Sequence, residues 1–230
     1  MRANRAADDD RLPGPGARVL RYGPDAVLVE VGTLDEVRAL DGAIRRARAD
    51  DDALAAIVDQ VPAARSVLVR VGRRGDVEKL ARRIERLVRE PLEADDARPH
   101  DEAGVVELPV SYDGPDLDDV ARLLAMPREE VAARHSAGHY VVAFGGFMPG
   151  FAYLVGLDDA LRAPRLPSPR ERVPAGSVAI ADTFTAVYPA PTPGGWRLIG
   201  TCPTTLFDLT REPAALLVPG TRVRFVEAGE

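Results

Sequence analysis

The stretch from Gly146 to Trp196 constrains this chain more than any other part of it. It contains Gly146-Phe-Met-Pro-Gly-Phe-Ala-Tyr-Leu154, Arg172-Val-Pro-Ala-Gly-Ser-Val178 and Pro193-Gly-Gly-Trp196, set in otherwise apolar, strand-like sequence. Only 5% of the chain is aromatic, yet Phe147, Phe151, Tyr153, Phe184, Tyr188 and Trp196 all fall here. Glycine lets backbone approach another group closely, and proline holds a bend without needing an amide partner. Aromatic rings beside such bends form walls with polar tips. The combination reads as short strands joined by shaped turns around a pocket.

The rest of the composition narrows the class. A chain of 230 residues forms one large domain or two modest ones. A net charge of -6 argues against a nucleic-acid partner, since phosphate binding needs a basic face. Cys202 is the only cysteine, which leaves no internal disulfide and no cysteine metal cluster. His135 and His139 stand four apart, but Ser136-Ala137-Gly138 between them reads as a helix stop, so no metal site is expected. Arg2, Arg5 and Asp8-Asp9-Asp10 have no apolar run behind them, and no segment has the length to span a bilayer. The expectation is a cytoplasmic protein without signal peptide or membrane partner.

Periodicity divides the chain. Residues 1–16 read as a loose tail. Within 17–92, Val19–Tyr22, Ala26–Val31, Ile57–Val61 and Ser66–Val71 read as strands, and Leu34–Ala49 and Asp76–Glu90 as amphipathic helices, giving a small α/β domain. Residues 93–104 are acidic and aperiodic, and read as a linker. In 105–230, Val105–Val110 opens a second unit with helices at Leu117–Leu124 and Pro127–His135. Short strands then follow at Tyr140–Phe144, Ser177–Ile180, Ala186–Tyr188, Trp196–Ile199 and Thr221–Val226. Several short strands without long helices between them suggest a closed or nearly closed β-barrel. The fold class is α+β.

The ordered blocks resemble the family of the 5-oxoprolinase B subunit, also known as allophanate hydrolase subunit 1 and including KipI-type kinase inhibitors. The resemblance is carried by Gly146-Phe147-x-Pro149-Gly150-Phe151-x-Tyr153-Leu154-x-Gly156-Leu157, Pro164-Arg165, Pro169-Arg170 and Val173-Pro174-Ala175-Gly176-Ser177-Val178. It continues in Tyr188-Pro189, Pro193-Gly194-Gly195-Trp196 and Leu206-Phe207-Asp208. It implies a small N-terminal α/β domain followed by a cyclophilin-like β-barrel. It also implies one component of an ATP-dependent 5-oxoprolinase, which opens 5-oxoproline to glutamate. The implied partners are a homologous barrel protein (the 5-oxoprolinase C component, or allophanate hydrolase subunit 2) and a third, A component. A kinase-inhibiting binding protein and an allophanate- or urea-processing subunit are the alternatives. The chain has no Walker-type loop, no Gly-x-Ser-x-Gly elbow and no biotin-accepting lysine context. No cofactor is therefore expected in this chain, with ATP used by the assembled complex, and activity is expected only with the partner.

Each candidate residue has a functional and a structural reading. Phe147, Pro149, Gly150 and Phe151 would turn sharply and expose amides that polarise a carbonyl, or would plug a barrel corner. The Tyr153 phenol suits orienting a substrate amide, or a buried structural hydrogen bond. Arg165, Arg170 and Arg172 lie in a proline-studded loop, where a guanidinium fork matches a carboxylate or is simply solvated. Arg172 is singled out because Val173-Pro174-Ala175-Gly176 fixes the backbone after it. His135 could move a proton or cap a helix. His135, Tyr153 and Arg172 are the catalytic candidates. Gly176, Ser177, Tyr188, Gly194, Gly195 and Trp196 join Phe147, Pro149, Gly150 and Phe151 as substrate-binding candidates. Phe184 and Ala186 stand where the family usually has Gln and Gly, and Thr201 where it commonly has Arg, which points to a changed substrate or an inactive regulatory form.

Overall fold

The computed structural model describes residues 16–72, 75–89 and 104–228. Apart from Gly16 and Gly104, the expected tail and linker lie outside these residues. The chain divides into two compact units between residues 97 and 98.

In the first unit, β1 (Arg18–Tyr22) and β2 (Ala26–Glu30) form a hairpin around Gly23, whose φ of +74° suits a residue without a side chain. They are followed by α1 (Leu34–Ala47), α2 (Asp52–Ala55), β3 (Ile57–Pro62), β4 (Ser66–Val71) and α3 (Val77–Leu87). Thr33 and Glu36 close a reciprocal capping box at the start of α1. The sheet order is β1-β2-β4-β3, antiparallel throughout. Val27, Val29, Val67 and Val69, two apart along their strands, meet Leu40, Ile44, Leu80 and Ile84 in a sealed core. The one-turn α2 has too few residues to show periodicity. Asp51 caps it and pairs with Arg83 of α3, whose hydrogen bond holds the Asp51 carboxyl below its usual range.

The second unit is built on a seven-stranded sheet. Its elements are β5 (Val106–Val110), α4 (Leu117–Leu124), α5 (Arg128–Ala137), β6 (Tyr140–Gly145), β7 (Ala152–Val155), β8 (Arg170–Val173), β9 (Ser177–Ala181), β10 (Phe184–Val187), β11 (Thr192–Gly194), β12 (Arg197–Thr201) and β13 (Arg222–Glu227). The sheet order is β12-β9-β10-β7-β6-β13-β5, and β8 pairs with β11 separately. Its two edges nearly meet. Ser111, just past β5, exchanges backbone hydrogen bonds of 2.9 and 2.8 Å with Thr201 of β12. The seam continues where the Gly114 and Asp116 amides donate to Ile199 and Leu198. The result is the barrel-like sheet that the short strands suggested.

Both faces of β9 are buried, which explains its unbroken apolar sequence. Val178 and Ile180 join Val142, Leu154, Val187 and Phe225 in the barrel interior, while Ala179 and Ala181 join a second cluster on the opposite face. Three strands escape the sequence pattern: β7, β8 and β11 have four, four and three residues, too short for an alternation to register. Helix α5 runs through Ser136 and Ala137 and is capped by Gly138, so the stop comes two residues later than expected. Pro127 is its N-cap. Among the described residues, no helix is long and apolar enough to cross a membrane.

Candidate functional site

The turn Gly146–Phe151, between β6 and β7, is two tight turns in succession. The Met148 amide donates to Gly146 O at 2.7 Å across Phe147, whose φ is +68°. That is the rare, strained hand of the three-residue turn. The Phe151 amide then donates to Met148 O at 3.1 Å, with Pro149 and Gly150 (φ +80°) at the two central positions. Proline followed by a positive-φ glycine is the type II arrangement. A side chain at Gly150 would also come within 2.6 Å of the Phe207 Cβ. Among the described residues the Phe147 and Gly150 amides have no hydrogen-bond partner. Phe147 is 60% exposed.

Behind this turn the aromatic residues pack against one another. Phe151 contacts Phe147, Tyr153, Tyr188 and Trp196 edge to face, with ring centres 5.1–5.7 Å apart. Tyr153 stacks on Phe144 at 4.4 Å and meets Phe184 and Trp196 at 5.6 Å. Phe151, Tyr188 and Trp196 are buried, Tyr153 is half-buried, and the Tyr153 hydroxyl has no hydrogen-bond partner among the described residues. The turn, the rings and the β8–β11 pair therefore share one face of the sheet, outside the barrel interior. Phe184, standing where the family usually has Gln, fills a ring position in this cluster. Ala186 is sealed beneath it, and the Thr201 hydroxyl donates to the Asp113 carboxylate at 3.0 Å.

The Tyr188 hydroxyl is the polar point of the cluster. A Cβ on Gly194 would lie 2.6 Å from it, too close for a side chain without a shift. Burial raises the hydroxyl pKa, and the Trp196 backbone amide and the positive charges of Arg165 and Arg170 oppose that rise. Gly195 carries Leu166, through a 2.8 Å bond from the Leu166 amide, and so holds the Pro164-Arg165 segment beside the site.

Arg170 pairs across the strands with Gly194, and its Nη2 donates to the Asp116 carboxylate. That carboxylate is 5% exposed and also accepts the Leu198 amide at 2.7 Å. Sequence reasoning missed Asp116, because an aspartate before Leu117-Asp118-Asp119 looks like an ordinary helix cap. Its side chain makes no capping bond. Arg172, which the sequence favoured, is exposed and without a side-chain partner among the described residues.

Gly176 and Ser177 serve as a backbone junction. The Gly176 amide donates to Tyr188 O, Gly176 O accepts from Cys202, and the Ser177 hydroxyl donates to Pro174 O. Their polar groups are thus occupied within the chain.

His135 is apart from all of these. It is fully buried against Tyr140 and Phe225, with Nδ1 2.8 Å from the Tyr112 hydroxyl and Nε2 2.9 Å from Thr185 Oγ1. The Thr185 hydroxyl itself donates to Ala179 O at 3.0 Å, so it accepts from a protonated Nε2, and Nδ1 accepts from Tyr112. Burial lowers the His135 pKa to about 3. It is a neutral interior strut. A cationic helix cap does not fit that surrounding.

The family model described as carboxyltransferase domain, subdomain C and D, matches residues 17–217, which span both units. The chain belongs to that family. Within it, the 5-oxoprolinase B subunit of Bacillus subtilis is 48% identical over 129 residues, 55% of this chain and 54% of the relative. The 5-oxoprolinase B subunit of Escherichia coli O157:H7 is 47% identical over 150 residues, 64% of this chain and 68% of the relative. The match thus spans about half the length of the Bacillus relative and two thirds of the Escherichia one. The crystal structure of TTHA0988 superposes with a TM-score of 0.71 at 38% identity, covering 94% of this chain and 41% of that one. PH0987 from Pyrococcus horikoshii gives 0.54 at 34% identity, covering 93% and 98%. The family resemblance carried by the sequence blocks is borne out.

Proposed function

We propose that this chain is one subunit of a cytoplasmic, ATP-dependent amide hydrolase that opens 5-oxoproline to glutamate, inactive until it joins a homologous barrel protein and a third component. The observation that carries this reading is the relationship to proteins named as the B subunit of 5-oxoprolinase, at 47–48% identity. The geometry supports it. Opening a lactam breaks its C–N bond as water adds to the carbonyl carbon, and negative charge builds on the carbonyl oxygen. The free amides of Phe147 and Gly150 are the donors this chain offers to such an oxygen. Arginines beside Tyr188 supply the cationic partner that a carboxylated substrate needs. The test of assembly is co-expression with the homologous barrel protein. A stable heteromer on size-exclusion chromatography is expected, and a chain that elutes alone at micromolar concentration contradicts it.

The strained turn gives a second expectation. A bulky residue at positive φ costs about 1–3 kcal/mol, and the Phe147 ring is largely outside the core. Phe147→Gly should therefore leave thermal stability equal or higher, while turnover by the assembled complex falls at least tenfold. A variant that melts much earlier with unchanged turnover would make Phe147 a packing residue only.

A further inference from the structure

We propose that Arg170, opposite Gly194 and the Tyr188 hydroxyl, and Arg165, on the adjoining loop held by the Leu166–Gly195 bond, form a carboxylate-binding site on the outer face of the barrel sheet. Four observations converge there. Arg170 stands opposite Gly194 across β8 and β11, and a Cβ on Gly194 would be 2.6 Å from the Tyr188 oxygen, so the base of the arginine and the phenol share one spot. Arg170 is held from behind by Asp116, itself fixed by the Leu198 amide, which aims the guanidinium and limits its rotation. Its Nη1 is buried and has no hydrogen-bond acceptor. A buried donor without an acceptor is costly in a folded chain, and an incoming carboxylate oxygen would satisfy it. Arg165 is exposed, has no ion-pair partner among the described residues, and is held beside the site by the Leu166–Gly195 bond and by Arg197, whose Nε donates to Pro164 O at 2.9 Å.

Two guanidinium groups and a phenol occupy this region, with the Asp116 carboxylate behind Arg170. Asp116 cancels part of one positive charge, so the site keeps a net excess suited to a monoanion. A planar carboxylate fits the fork geometry of arginine. Arg172 is not part of this set. Identifying 5-oxoproline as the occupant rests on the function proposed above, whereas the anion site does not.

The test uses the full chain and the assembled complex, with 5-oxoproline and its neutral analogue 2-pyrrolidinone as probes. Trp196 is the only tryptophan, so its fluorescence reports binding at the site, with calorimetry as the second readout. 5-Oxoproline should bind at least tenfold more tightly than 2-pyrrolidinone, and Arg165→Gln should remove that preference without lowering the melting temperature. Arg170→Lys, which keeps the charge but loses the fork, should weaken 5-oxoproline about tenfold. Arg162→Gln, at an exposed arginine paired with Asp159, should change nothing. In the complex, Arg165→Gln should raise KM with kcat little altered. Equal affinity for the two probes, or an unchanged affinity and KM in Arg165→Gln, overturns the site. A complex that fails to turn over 5-oxoproline while its chain still binds it through Arg165 leaves the site standing and removes the proposed substrate reaction.

Discussion

Acidification from pH 7 to pH 5 should cost the barrel unit about 2 kcal/mol through His135 alone. In the folded chain this ring stays neutral down to about pH 3, because burial opposes its charge. In the unfolded chain it takes up a proton below about pH 6.5. The unfolded state then binds more protons, so stability falls as pH falls, by about 1.4 kcal/mol per pH unit between those limits. The contribution is fully present above pH 6.5 and lost as pH approaches 3. Asp51, Asp158 and Asp208, held below their usual range by hydrogen bonds, lose their contributions only below about pH 4, outside the test window. His135→Gln leaves the Tyr112 hydroxyl without its acceptor and should cost about 2 kcal/mol at pH 7. Its stability should then be nearly flat across the same window. Urea unfolding followed by Trp196 fluorescence, at pH 7, 6 and 5, measures both slopes. Parallel slopes for the two proteins would mean that His135 is not the titrating strut.

Gly114→Ala should be among the most damaging single methyl groups in the barrel. The new Cβ would lie 2.3 Å from the Ile199 carbonyl carbon and 2.4 Å from both Gly200 N and Leu198 O. All three are backbone atoms, so no side chain can move aside, and relief requires parting the β5–β12 seam. Overpacking costs about 1–3 kcal/mol where side chains adjust, and here the upper end or more is expected. That corresponds to roughly a 10 °C fall in melting temperature for a unit of this size. Gly104→Ala is the control, since nothing lies within 4 Å of its added Cβ. Equal melting of the two variants would show that the seam does not hold the barrel together.

What the sequence reveals and hides follows from the range of the interactions. Helices α1, α3 and α4 carry their apolar stripe locally, and β2 and β4 alternate buried and more open positions, so these are legible. The sharp bend at Pro149-Gly150 is legible too, because that pair dictates its dihedral angles, whereas the strained turn centred on Phe147 is not. The partners of His135 are not, since Tyr112 and Thr185 are 23 and 50 residues away. Without them a histidine near a helix end looks like a cap or a proton carrier. The choice between Arg170 and Arg172 depends on Asp116, 54 residues before Arg170 and invisible in the local proline pattern. The expectation of a pocket also meets a different arrangement: the rings pack against one another, with Phe151, Tyr188 and Trp196 buried.

The most direct measurement of the central proposal is glutamate formation from 5-oxoproline by the purified, assembled complex. ATP-dependent release of glutamate is expected with this chain present, falling to background when it is omitted or when ATP is withheld. Background rates from a folded, fully assembled complex, with 5-oxoproline and ATP in excess, would contradict the assignment.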